Sequence, residues 1–171
     1  DRSAQVAATV ADIRSRIAHI DIAMAENKAG ANVVVTLVRD RDMPEFIRRF
    51  YGAERARQIQ KSLDPQCLSG FRKNEKFEIE RSDVILTVDN GEFTFFDCAY
   101  EELLQSLGPI NDTMSVPWTM FNDNVSMGYF DVYDQYLLNL LYDPRIKPGM
   151  TVSLTVDGFG RLAFINPTAE R

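Results

Sequence analysis

Histidine is almost missing from this chain: His19 is the one example in 171 residues. A metal site built on two histidines of one chain is thereby excluded. A Ser-His-Asp or Cys-His arrangement would have to use a residue inside the first expected helix. No apolar run approaches the ~20 residues that a membrane span needs, and no signal-peptide pattern is present. Phosphate-loop and dinucleotide signatures are missing too; Gly158-Phe159-Gly160 is too short and falls in an expected hairpin. Positive charge is in deficit, with 19 Lys and Arg against 25 Asp and Glu and a net of -6. That balance argues against a nucleic-acid partner, which requires a basic face. Arg48, Arg49, Arg55, Arg57 and Lys61 gather in one segment and read as a solvated helix face. Cysteine is limited to Cys67 and Cys98, which allow a single pairing. Counting leaves two alternatives open: a bridge belonging to an oxidising compartment, or two separate buried thiols.

What is present is ordinary for one globular domain, 45% apolar and 26% charged. The chain opens at Asp1 rather than at methionine, as a processed or excised chain does. Ser3 to about Asn27 reads as one helix capped by Ser3, with Val6, Val10, Ile13, Ile17, Ile20 and Met24 at three- and four-residue spacing. His19 lies on its flank and reads as a surface or capping residue. Asn32 to Arg39 is the strongest strand signal, and its nearly continuous hydrophobicity predicts a central strand covered on both faces. A helical region follows from Asp42, divided by Gly52 and closed by Asp64-Pro65. From Cys67 to Asp89 the period changes to two, with Val84 to Val88 a second solid strand. Phe93 to Leu107 reads as a helix stopped by Gly108-Pro109. Ile110 to Tyr129 is a long, turn-rich connection in which Trp118, Met120 and Phe121 argue for packing. Asp131 to Tyr142 is an amphipathic helix, and Thr151 to Ile165 looks like two short strands around Asp157-Gly158. The expected class is α+β, a mixed sheet of about three to five strands packed with three to four helices. Residues 1–171 are expected to form one domain: helix and sheet 1–91, helix, loop and second helix 92–150, hairpin 151–166.

Candidate chemistry concentrates in the helix Phe93 to Leu107. Asp97, Glu101 and Gln105 lie four residues apart and share one helix face. With Asn111 or Asp112 they could supply an all-oxygen site suited to Ca²⁺ or Mg²⁺. The competing structural role leaves one of Glu101 and Glu102 exposed and the other hydrogen-bonded to the following loop, whose backbone groups need partners.

Three blocks, CAYEELLQSLGPIND from Cys98, WTMFNDN from Trp118 and DVYDQYLLNLLYDPRIKPGM from Asp131, resemble a family of uncharacterised proteobacterial envelope proteins, domain of unknown function 2927, which includes many lipoprotein candidates. The resemblance covers the C-terminal half directly and implies export, to the periplasm or an envelope anchor. Export in turn favours a Cys67–Cys98 disulfide. More distantly, the same blocks resemble the catalytic region of metzincin proteases. Glu101, Glu102 and Gln105 then fall where the first zinc ligand, the general base and the second ligand would be, and Asn111 falls on the third ligand position. Met120 would match the methionine turn. All three zinc ligands are replaced, so the likeness implies a zincin-like fold without its zinc and without its peptidase activity.

The implied function is a non-catalytic binding or scaffolding domain of the cell envelope that keeps a peptide groove and an exposed strand edge. Gln105, Asn111, Trp118, Met120, Phe121 and Tyr129 are the groove candidates, and Glu101 and Glu102 the candidate catalytic carboxylates. No cofactor and no resident metal is expected, and the expected partner is a protein or peptide of the envelope. Two alternatives stand beside this one: a hydrolase using an oxygen-ligand metal or a metal-independent carboxylate site, and a spacer within a larger lipoprotein.

Overall fold

Val84, Ile85 and Leu86 are consecutive, apolar and fully enclosed. Successive strand residues point to opposite faces, so such a run requires a sheet covered on both sides. The computed structural model describes residues 1–62, 65–122, 124–150, 153–156 and 162–165. The chain is α+β: α1 (Arg2–Arg16), β1 (Val33–Val38), α2 (Met43–Ser62), β2 (Cys67–Lys73), β3 (Ile79–Thr87), α3 (Glu92–Gln105), α4 (Val132–Leu141), β4 (Ser153–Val156) and β5 (Leu162–Ile165). The predicted stop at Asp64 and the predicted turn at Asp157-Gly158 lie outside the described residues. β4 and β5 pair antiparallel, Ser153 opposite Ile165. No helix among the described residues is long and apolar enough to cross a membrane.

The three-stranded sheet has the order β1-β3-β2, with β1 parallel and β2 antiparallel to β3. The central strand is therefore β3, not the Asn32 to Arg39 run. The hydrophobicity of β1 has a different cause. Val33, Val35 and Leu37 pack against the core that includes Val84 and Leu86, while Val38 packs with Ile85 on the opposite face. A strand can be half-buried on both faces and still lie at an edge, and only its pairing partners decide which.

On one face of the sheet sit α1 and α3. Val6, Val10, Ile13 and Ile17 form the buried stripe of α1 and meet Phe95, Ala99 and Leu103 of α3. The true N-cap of α1 is Asp1, whose carboxylate accepts the Ser3 N–H at 2.9 Å, so Ser3 lies inside the first turn. The helix ends at Arg16, well short of the Asn27 that periodicity suggests. Asn139 of α4 accepts the Ala18 N–H at 2.8 Å and donates to the Arg16 carbonyl at 2.9 Å. Ile17 then turns extended (φ -104°, ψ 114°) and His19 is exposed at φ 63°. Ile20 and Ile22 still reach the core, but from a non-helical segment. The Arg2 side chain fixes the other end, donating to the carbonyls of Val88 and Gly91 and lying 4.5 Å from the Phe95 ring centre.

The other face is covered by α2, which is two helical pieces meeting at Gly52 (φ 78°, ψ 165°). That left-handed conformation favours glycine. Met43 and Ile47 come from the first piece, Ala56 and Ile59 from the second, and all pack with Ile85. Gly70 on β2 makes room for Tyr51: a Cβ there would stand 2.8 Å from the Tyr51 hydroxyl, and the ring would have to shift.

Cys67 of β2 and Cys98 of α3 are joined by a disulfide, with Cα atoms 5.7 Å apart and a sequence separation of 31. Closing a loop of that length stabilises by about 3–4 kcal/mol in the chain-entropy model. The Cys67→Ser/Cys98→Ser protein is therefore expected to lose about 3–4 kcal/mol of unfolding free energy in urea titrations. Reducing agent should lower the wild type by a similar amount and leave the double variant unchanged. Equal midpoints for the two oxidised proteins would overturn this.

Candidate functional site

The residues singled out on α3 follow one stripe, but each has a separate engagement. The Asp97 carboxylate accepts the backbone N–H of Met127 in the long loop. Gln105 is buried; its amide donates to Asp112 at 2.6 Å and its oxygen accepts from the Ser69 hydroxyl of β2 at 3.2 Å. Glu101 is partly exposed, and Asn111 is exposed. Glu102 is only 6% exposed. It sits within electrostatic reach of Tyr51, whose hydroxyl is pushed up to about 12, first by burial and then by the negative charges of Glu102 and Asp83. The two neighbouring glutamates thus do not both face an open cleft.

A zinc ion of the protease type does not fit this donor set. A carboxamide stands at the second ligand position, engaged by Ser69 and Asp112. An exposed amide stands at the third. Among the described residues no group of three or more His, Cys, Asp or Glu side chains is placed to hold a metal ion. Asp97, Glu101 and Gln105 share a face as their spacing requires, but Asp97 and Gln105 are directed to different parts of the loop.

The loop between α3 and α4 is held by carboxylates that the sequence reading did not assign to that role. Asp134 of α4 is fully buried; it accepts the Thr119 hydroxyl at 2.5 Å and the Met120 N–H at 3.1 Å. Asn122 donates to the Val116 carbonyl at 2.8 Å, and the Thr113 N–H bonds the Phe121 carbonyl at 2.7 Å. A signal was available: Asp134 stands four residues before buried Leu138, on the face that apolar periodicity marks as internal. Burial raises the pKa of both Asp97 and Asp134, and the hydrogen bonds each accepts oppose the rise only in part.

The six groove candidates separate. Met120 and Phe121 are each 2% exposed and belong to the core. Trp118 is 72% exposed, and Tyr129 also faces outward. Val132, Tyr133 and Tyr136 extend that exposed surface along the first turns of α4. Trp118 and Tyr133 each lie one residue from the Thr119–Asp134 bond, so a buried contact sets the base of an aromatic surface.

None of the six lines the principal groove, of about 800 Å³, which runs along the outer edge of β1. Its walls are the segment from Ile20 to Ala25, the strand residues Val33 to Leu37, and Leu103 and Leu107 of the α3 region. Among the described residues β1 pairs with β3 alone, and residues of this strand line the groove. The sequence reading set its groove candidates around the loop from Ile110 to Tyr129, whereas this cavity lies along β1. The position of a strand edge depends on pairings that periodicity does not record.

These observations define an α+β domain with a disulfide-tied helix, a packed loop and an open strand edge. Residues 1–156 match the model of a family described as a protein of unknown function, DUF2927, and the chain belongs to that family. No curated protein and no solved structure matches it.

Asp134 offers a test of the loop's anchoring. Asp134→Ala strips partners from a buried hydroxyl and a buried N–H and should cost about 2–4 kcal/mol. Asp134→Asn retains two hydrogen bonds if Thr119 becomes the acceptor, and should cost under about 1.5 kcal/mol. A carboxyl with a raised folded pKa contributes stability that is full below the ordinary aspartate range and lost as pH rises through the raised value. Between about pH 4 and 7 the Asn variant should therefore lose less stability than the wild type. Urea midpoints at both pH values check this, and parallel curves would contradict it.

Proposed function

We propose that this is a non-catalytic binding domain of the bacterial cell envelope that holds an extended segment of a protein partner against the outer edge of β1. The observation that carries the reading is the combination of an edge strand without a described outer partner and an apolar groove alongside it. An extended peptide added there would satisfy backbone donors and acceptors, while alternate side chains would enter the groove. The edge from Ala31 to Val38 carries no charge, proline or glycine, the devices by which edge strands resist such pairing. The opposite edge, β2, has an irregularity between Arg72 and Lys73 and a positive charge at each. It is therefore the less receptive of the two.

The Cys67–Cys98 bridge supports an oxidising compartment and hence export. The protease-like pattern of α3 supports the same reading, since a zincin deprived of its ligands would retain an edge-strand binding mode. The hydrolase alternative requires Glu101 and Glu102 to face substrate together, and the burial of Glu102 gives it no support.

Selection from a displayed library of random peptides tests the proposal. The expected result is enrichment of uncharged sequences with alternating apolar residues. Binding should fall at least about tenfold in Thr36→Lys, which places a charge on the groove wall at a residue outside both core clusters, with the melting temperature within a few degrees of wild type. No enrichment, or equal binding by Thr36→Lys, would overturn it. Cleavage of the selected peptides that is lost in Glu102→Gln would establish the hydrolase reading instead.

A further inference from the structure

We infer that the kink of α2 builds a binding site for a phosphate ester, independent of the β1 groove. Arg48 and Arg57 are nine positions apart, two and a half turns, and on an uninterrupted helix would project from opposite sides. They line one depression, together with Arg41, Pro44, Glu45, Ala53, Ala56 and Gln60. The non-helical conformation of Gly52 is what brings them together. Residues 44, 45 and 48 supply one wall from the first helical piece, and 53, 56, 57 and 60 the other from the second.

Charge points to the ligand. Between Arg39 and Lys61 there are seven basic residues and four acidic ones, in a chain whose net charge is -6. Among the described residues Arg41 and Arg57 have loose, exposed ion-pair partners, Asp42 at 3.6 Å and Glu54 at 3.5 Å, which hold them weakly. Arg48 enters no ion pair among the described residues. Convergent guanidinium groups recognise the oxygens of phosphate by paired hydrogen bonds. Ala53 opens the second helical piece, so its first-turn N–H groups add favourable partial charge at the same depression. Glu45 on the rim would accept from a hydroxyl or ammonium group, which selects a phosphate ester carrying one over bare phosphate. Such a group occurs in soluble glycerol phosphates and in lipid headgroups.

The test is amide and Arg Nε chemical shifts of the full chain, titrated with glycerol 3-phosphate, alongside co-sedimentation with phosphatidylcholine vesicles with and without phosphatidylglycerol. Saturable shifts at Arg48 and at Ala53 to Arg57 are expected, weakened about tenfold or more in Arg48→Gln and in Arg57→Gln. Gly52→Ala, where an added Cβ meets nothing within 4 Å but must adopt φ 78°, should straighten α2 and abolish binding. Saturation by the soluble ester identifies a soluble ligand, and retention only on phosphatidylglycerol vesicles identifies a headgroup. Either supports the site if the arginine variants lose it. Absence of both, or binding undiminished in Arg48→Gln and Arg57→Gln, overturns the inference.

Discussion

Enclosure of β3 from both sides is the constraint on which the other elements depend. Val84 and Leu86 can leave water only if α1 and α3 cover one face, and Ile85 only if α2 covers the other. Burying three adjacent side chains of this size contributes several kcal/mol, at roughly 1.5–3 kcal/mol each. The helices are placed to achieve this, and several of the polar contacts hold them there. Arg2 fastens α1 to the turn before α3, Asn139 ends α1 against α4, and the disulfide fastens α3 to β2. With β3 flanked by β1 and β2, the sheet ends at two edges of different character.

The connection from α3 to α4 shows how a long irregular segment becomes part of the interior. Thr119, Met120, Phe121 and Asn122 are buried without lying in a helix or strand, so their backbone groups must find partners individually. Asp134 and Asp97 supply acceptors, and Asn122 bonds back within the loop. Both aspartates are desolvated by this role and hold their protons more tightly as a result. The carboxylates that look catalytic from their spacing thus lie in a region where acids serve the packing of the loop. Glu102 and Gln105 are enclosed in the same region.

The two proposed surfaces lie where packing among the described residues leaves backbone or charge without a full complement of neighbours. The β1 edge lies beside an apolar groove, and the bend of α2 sets Arg41, Arg48 and Arg57 along one depression. The first suits an extended chain and the second an anion, so a partner and a phosphate ester could be held at once on separate parts of the fold.

Much of the fold was legible in the sequence because local pattern records local burial. The period of α1, the alternation from Cys67 onward, the division at Gly52 and the stop at Gly108 each follow from side-chain spacing or from a glycine that sits at positive φ. What could not be read depends on contacts distant in sequence. Asn139 shortens α1 from more than a hundred residues away, β3 takes the centre although β1 has the stronger pattern, and Asp134 anchors a loop from the next helix. The same division holds at the sites. The sequence by itself determined that two-histidine zinc chemistry is excluded and that Cys67 and Cys98 could pair only with each other. Only the tertiary structure decided that Met120 and Phe121 are core, that the groove follows β1, and that Arg48 and Arg57 line one depression. Residue types and spacing fix what a segment can bury, whereas the choice of which segments meet is made by the whole chain at once.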